Sequence, residues 1–225
     1  WRAELVQLDA ATDSAALERA AADAERAWRA EAQRVGKARK QAAPKLADAV
    51  TQAMQQLGMA GGRFEVALIA QDEPQSFGLE SVELRVAGHA GSTPRALAKV
   101  ASGGELSRLA LAIAVTTART ADGAATLIFD EIDAGIGGAV ADTVGRLMKQ
   151  LGRERQVLAV THLAQVAACG DHHFVVSKQV RGPGTQSDVH AVSGEARVAE
   201  VARMLGGDRL ATSVAHAQEM LGSAS

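Results

Sequence analysis

Two short apolar runs, "TLIFDE" at 126–131 and "QVLAVTH" at 156–162, constrain the fold more than any other feature of this chain. Each is continuous rather than alternating, which is the pattern of a strand covered on both faces. A helical period over about Ala139–Leu151 separates them, and another over about Glu105–Ala121 precedes them. Strand, helix and strand in that order predict an α/β fold with a mostly parallel, covered sheet.

The flanking sequence reads differently. Residues 1–57 are rich in Ala, Glu, Arg and Gln, which favour helix. Their large apolar residues are sparse (Leu5, Leu8, Leu17, Trp28, Val35) until Leu46, Val50, Met54 and Leu57. So thin a stripe predicts an extended, coiled-coil-like arm rather than a core helix, kinked or divided at Pro44. After "GMAGGR" the period falls to two. Phe64, Val66 and Leu68, then Val82, Leu84 and Val86, predict an antiparallel pair with "QDEPQSFG" between them. "HFVVSK" and "SDVHAVS" are further strand candidates, and amphipathic helices over about Arg197–Leu205 and Arg209–Leu221 close the chain around Gly206 and Gly207. The expected division is a helical arm over 1–60 and an α/β lobe over 61–225.

Composition narrows the function. A net charge of −2 from 24 basic and 26 acidic residues leaves any nucleic-acid surface to be local. One cysteine excludes an internal disulfide framework and fits a reducing compartment. The longest apolar run, Leu109–Val115, is too short to span a bilayer, so no membrane partner is expected. The chain opens at Trp1 within a helical pattern and without a signal-peptide pattern, which suggests a piece of something longer.

Three element ends carry chemistry. In "VASGGELSR", Ser102 is a good N-cap residue, and Gly103 and Gly104 let a ligand approach the backbone before Glu105 and the helix. First-turn N–H groups favour an anion there, most naturally a phosphate; the bland alternative is a capped helix end. In "TLIFDEID", Asp130 and Glu131 stand at the carboxyl end of an apolar strand, where open α/β sheets bind ligands. One carboxylate can hold Mg²⁺, directly or through water, while the other orients and partly deprotonates an attacking water. Asp133 follows in the glycine-rich turn "DAGIGG". Thr161-His162 ends the second strand, and a histidine there can donate to a phosphate or to the attacking water. Two solvated acids and an ordinary strand-end histidine are the bland alternatives.

In that order, "SGGELSR", "LIFDEIDAGIGG" and "VTHLAQVAA" resemble the signature motif, Walker B, D-loop and H-loop of ABC-type ATPases. The longer run through "ARVAEVARMLGG" is similar to the C-terminal part of SMC-like bacterial double-strand-break repair ATPases, over about residues 60–222. The resemblance implies the C-terminal lobe of an ABC-type ATPase head, with residues 1–60 as the base of a coiled coil. It implies ATP and Mg²⁺ as ligands and ATP hydrolysis coupled to DNA binding in the complete protein. Ser102, Gly103, Gly104 and Glu105 would contact the γ-phosphate of ATP held by a second head in an ATP-dependent homodimer. Asp130 would be the magnesium residue and Glu131 the general base. Asp133 would belong to the D-loop, which communicates across the dimer, and His162 would sense the γ-phosphate. The implied location is the bacterial cytoplasm, at the nucleoid.

No G-x-x-x-x-G-K-[ST] phosphate loop occurs in the chain. The single Gly-Lys pair, Gly36-Lys37, is followed by Ala38 and has Glu31 where the first glycine belongs. The resemblance places that Walker A loop in an N-terminal head lobe, so this chain alone is expected to bind ATP poorly and hydrolyse none. Two other readings stay open: the nucleotide-binding subunit of a membrane transporter, and a non-catalytic dimerisation module. "RVGKARKQAAPK", with Arg34, Lys37, Arg39, Lys40 and Lys45, offers a local DNA contact or a solvated arm surface. Cys169, His172 and His173 match no usual zinc spacing and lack a fourth ligand.

Overall fold

The computed structural model describes residues 1–6, 14–99, 103–118, 124–181, 184–206 and 211–223. The chain divides into two compact units. Trp1–Ala47 with Glu65–Arg85 forms the first, and Asp48–Phe64 with Val86–Ser225 the second. This division differs from a boundary at residue 60. The last turns of the long helix and the first strand residue after it count with the second unit, and most of the following hairpin with the first.

In the first unit the long helix α1 (Ser14–Gln56) is mostly exposed, as its thin apolar stripe predicts. It runs through Pro44 without interruption, contrary to the expected division. Proline's fixed φ is compatible with a helix, and its missing N–H costs one bond, to the Lys40 carbonyl, rather than the whole element. The pairs Arg29–Glu25 and Arg34–Glu31 follow its surface at helical spacing. Strands β1 (Arg63–Gln75) and β2 (Gly78–Ala87) form the predicted hairpin, but "QDEP" continues β1 and leaves a two-residue turn, Ser76-Phe77. The sheet order β1-β2-β3, with β3 at Arg95–Ala96, puts Pro74 on an edge strand, where a missing N–H is tolerated. Arg39 Nη1 donates to the carbonyls of Phe77 (2.9 Å) and Glu80 (3.1 Å), and Lys40 pairs with the Glu80 carboxylate. Three of the five cations in the basic run are thus engaged within this unit, counting Arg34 on Glu31.

The second unit holds the α/β core. Helix α2 spans Gly103–Thr117, β4 Thr126–Phe129, α3 Gly138–Gly152 and β5 Gln156–Ala159. Strands β4 and β5 pair in parallel from Thr126↔Gln156 to Phe129↔Ala159, as the strand–helix–strand order predicts. A short helix absent from the sequence reading, α4 (Ala164–Cys169), follows. Strands β6 (His173–Arg181) and β7 (Gly184–Val192) form an antiparallel ribbon, and α5 (Gly194–Met204) and α6 (Ala211–Ser223) close the chain. Leu109, Leu111, Phe129, Ile132, Val144 and Leu151 are buried, as are Val50 and Met54 from the end of α1. A satellite cluster gathers Ala164, Val201, Ala202 and Ala217, with Val198, Val214 and Leu221 against it. The stripe on the closing helices is therefore packing, as expected; Gly207, Arg209 and Leu210 lie outside the described residues.

Coverage of the parallel pair is one-sided. Phe129 faces the core, whereas the register partners Ile128 and Leu158, and Val160 beyond them, are exposed. The continuous apolar run predicts cover on both faces; here one face meets solvent.

Candidate functional site

Four stretches singled out in the sequence converge in the second unit. Ser102 lies outside the described residues, so its capping role is not seen. Gly103 and Gly104 begin α2, with Glu105 in its first turn. The two glycines serve different neighbours. A Cβ on Gly104 would stand 2.9 Å from Ala134 Cβ and 3.0 Å from its carbonyl oxygen, so this glycine admits the turn after β4 rather than a ligand. Gly103 is exposed, and a Cβ there would collide with the Glu131 carboxylate.

Two further residues of the same helix, not singled out as site residues in the sequence, bolt it to that turn. Ser107 Oγ donates to the Asp130 carbonyl at 2.6 Å, and Arg108 Nη1 donates to the Ala134 carbonyl at 2.8 Å. Arg108 is buried. Burial pushes its guanidinium down from the ordinary value and the Glu105 charge opposes this. The signal for both was available: Gly104 and Arg108 are four apart and share a helix face.

Asp130 and Glu131 follow β4 directly and are exposed. The Glu131 N–H donates to Asp130 Oδ1 at 2.9 Å. Among the described residues Glu131 is the one non-glycine with positive φ, at 54°. Such a conformation costs on the order of 1 kcal/mol or more outside glycine, and it persists where surrounding bonds over-determine it. Here the Ala134 N–H donates to the Glu131 carbonyl at 3.1 Å, closing the turn behind it.

Asp133 points inward. Its carboxylate is buried, and Oδ2 accepts the Thr161 hydroxyl and the His162 backbone N–H (2.8 Å) and lies 3.1 Å from His162 Nδ1. Burial pushes the Asp133 carboxyl up, but these hydrogen bonds and the nearby imidazole together outweigh it and hold the group below the ordinary carboxylate value. Thr161 Oγ1 in turn accepts the Leu163 N–H at 3.0 Å. The His162 ring itself is exposed.

A helix start, two strand-end carboxylates and a strand-end imidazole thus sit on one hydrogen-bonded frame. Such an array can meet an anion at the helix start, hold a hydrated cation at Asp130, and take a proton at Glu131 or His162. One exposed carboxylate, partly occupied by a backbone N–H, suits a Mg²⁺ ion that keeps most of its water and takes other ligands from phosphate. Among the described residues no group of three or more His, Cys, Asp or Glu side chains is placed to hold a metal. Cys169 is buried, and burial raises its thiol above the ordinary value. Gly36-Lys37 lies inside α1 with Gly36 against Glu80, in no position to cradle a phosphate.

No family model matches the chain. A solved Smc head domain with a coiled coil and joint from Pyrococcus yayanosii superposes with a TM-score of 0.50 at 25% identity, over 70% of this chain and 28% of that one. The fold is therefore that of an SMC-type ATPase head. The DNA repair protein RecN of Deinococcus radiodurans is 45% identical over 184 residues, covering 82% of this chain and 32% of its own length. That of Mycobacterium leprae is 38% identical over 245 aligned residues, covering 99% of this chain and 41% of its own. The chain belongs to the RecN family, and it spans about a third of the length of these relatives.

Proposed function

We propose that this chain is the C-terminal half of the ATPase head of a RecN-like double-strand-break repair protein, working by ATP-gated head dimerisation coupled to DNA binding. The observation that carries this reading is the frame just described, in which Ser107, Arg108 and Asp133 tie three motif-bearing segments together. RecN kinship sets aside the transporter reading. The paired Asp130 and Glu131 at the strand end, beside an exposed His162, argue for chemistry over a purely structural module.

In this reading Ser102, Gly103, Gly104 and Glu105 contact the γ-phosphate of ATP held by a second head. Asp130 holds Mg²⁺ through water, and the ion supplies neutralisation of charge on the phosphates. Glu131 orients the attacking water and accepts its proton. Its backbone is left-handed, and its carboxylate occupies the space that a Cβ on Gly103 would take. His162 meets the γ-phosphate from the other strand. The uncovered face at Ile128, Leu158 and Val160 takes the N-terminal lobe that carries the Walker A loop. In this reading the protein acts at the bacterial nucleoid; among the described residues no helix is long and apolar enough to cross a membrane.

Replacing Glu131 with Gln in the longer protein tests the assignment. Loss of the general base lowers turnover by about 10²-fold or more with ATP binding kept; unchanged turnover removes Glu131 from that role.

A further inference from the structure

The Asp133 carboxylate is more buried than either acid assigned to the chemistry, yet it touches the one exposed imidazole in the frame. A single oxygen, Oδ2, receives the His162 backbone N–H and faces the Nδ1 of the same residue. A carboxylate oxygen only accepts, so the nitrogen facing it carries the hydrogen. One hydrogen bond from its backbone N–H fixes where His162 sits, and the 3.1 Å approach of Nδ1 to the same oxygen sets how its ring is turned. The hydroxyl of Thr161 holds that oxygen from a third side. Nδ1 is thereby committed inward, and Nε2 is the ring atom left facing outward, on a side chain 72% exposed.

We propose that Asp133 is a positioning residue for His162, fixing the Nδ1–H tautomer and aiming Nε2 at the nucleotide side of the strand ends. In the neutral ring Nε2 then accepts a hydrogen bond from water. With a second proton it donates to a phosphate oxygen while Asp133 balances the charge across the ring. Asp133 so acts within its own head, through His162. The link to ATP chemistry rests on the function proposed above; the tautomer does not.

Nitrogen-15 NMR of the histidine rings in the 225-residue chain, at about pH 8.5 where ordinary imidazoles are neutral, reads the tautomer directly. His162→Gln assigns the signal among the six histidines. The expected result is an Nδ1–H ring at His162, retained in Asp133→Asn, which keeps an oxygen toward the ring, and lost in Asp133→Ala. A wild-type ring in the Nε2–H form overturns the proposal whether or not Asp133→Ala folds, as does an Nδ1–H ring that survives Asp133→Ala. In the longer protein, Asp133→Ala is expected to lower kcat by about 10²-fold with KM little changed, and Asp133→Asn to recover most of it. An unchanged kcat in Asp133→Ala, in a protein that Glu131→Gln disables, overturns the positioning role. Unchanged turnover in both variants removes this site from the chemistry of ATP hydrolysis instead and leaves the tautomer result standing.

Discussion

Single residues in the frame differ in what they do, although the sequence offers them as one cluster of acids. Asp130 and Glu131 face solvent, while Asp133, two positions on, is buried beneath Thr161 and His162. Its carboxyl is held below the ordinary value, so it binds fewer protons folded than unfolded in acid. The stability it contributes is fully present above the unfolded carboxylate value, about pH 3.9, and is lost as pH falls through the lower folded value. Asp133→Asn is therefore expected to be less stable than the parent chain at neutral pH. The difference should shrink below about pH 4, as read by denaturant midpoints across that range. A constant difference at every pH contradicts this. The strand-end positions of Asp130, Glu131 and His162 were legible from apolar runs that stop at polar residues. The inward turn of Asp133 was not, because it depends on a bond to a residue 29 positions away.

At the scale of elements, close approach and polar bolts decide the packing. Helices α3 and α4 meet where a Cβ on Gly145 would lie 2.7 Å from Cys169 Sγ and 3.0 Å from the Gln165 carbonyl. Gly145→Ala must push these helices apart, at a cost of about 1–3 kcal/mol, measured as a lowered denaturant midpoint with an unchanged m-value. An unshifted midpoint means the two helices do not pack as described. Arg197 on α5 donates to the carbonyls of Ala167 (3.3 Å) and Ala168 (3.1 Å) at the end of α4, and to Gly170 beyond it, joining the closing helices to the site-bearing half. Periodicity predicted the long helix, the hairpin, the parallel pair and the closing helices. It missed α4, whose six residues are too few to show a period, and it overstated Pro44, because one lost bond does not end a helix of 43 residues.

For the whole molecule, the chain spans about a third of its RecN relatives. The start of α2, the carboxylates Asp130 and Glu131 and the imidazole of His162 share one frame held by Ser107, Arg108 and Asp133. The Walker A pattern is missing from these 225 residues, and an apolar strip on β4 and β5 stands open beside the frame. Both features fit a head completed by a separate lobe. Titration calorimetry of Mg-ATP into this chain alone tests that account most directly. The expected result is no binding tighter than about 1 mM, since these 225 residues contain no G-x-x-x-x-G-K-[ST] loop to grip the phosphates. Micromolar binding by the isolated chain would contradict it, because a phosphate site would then have to exist within these residues.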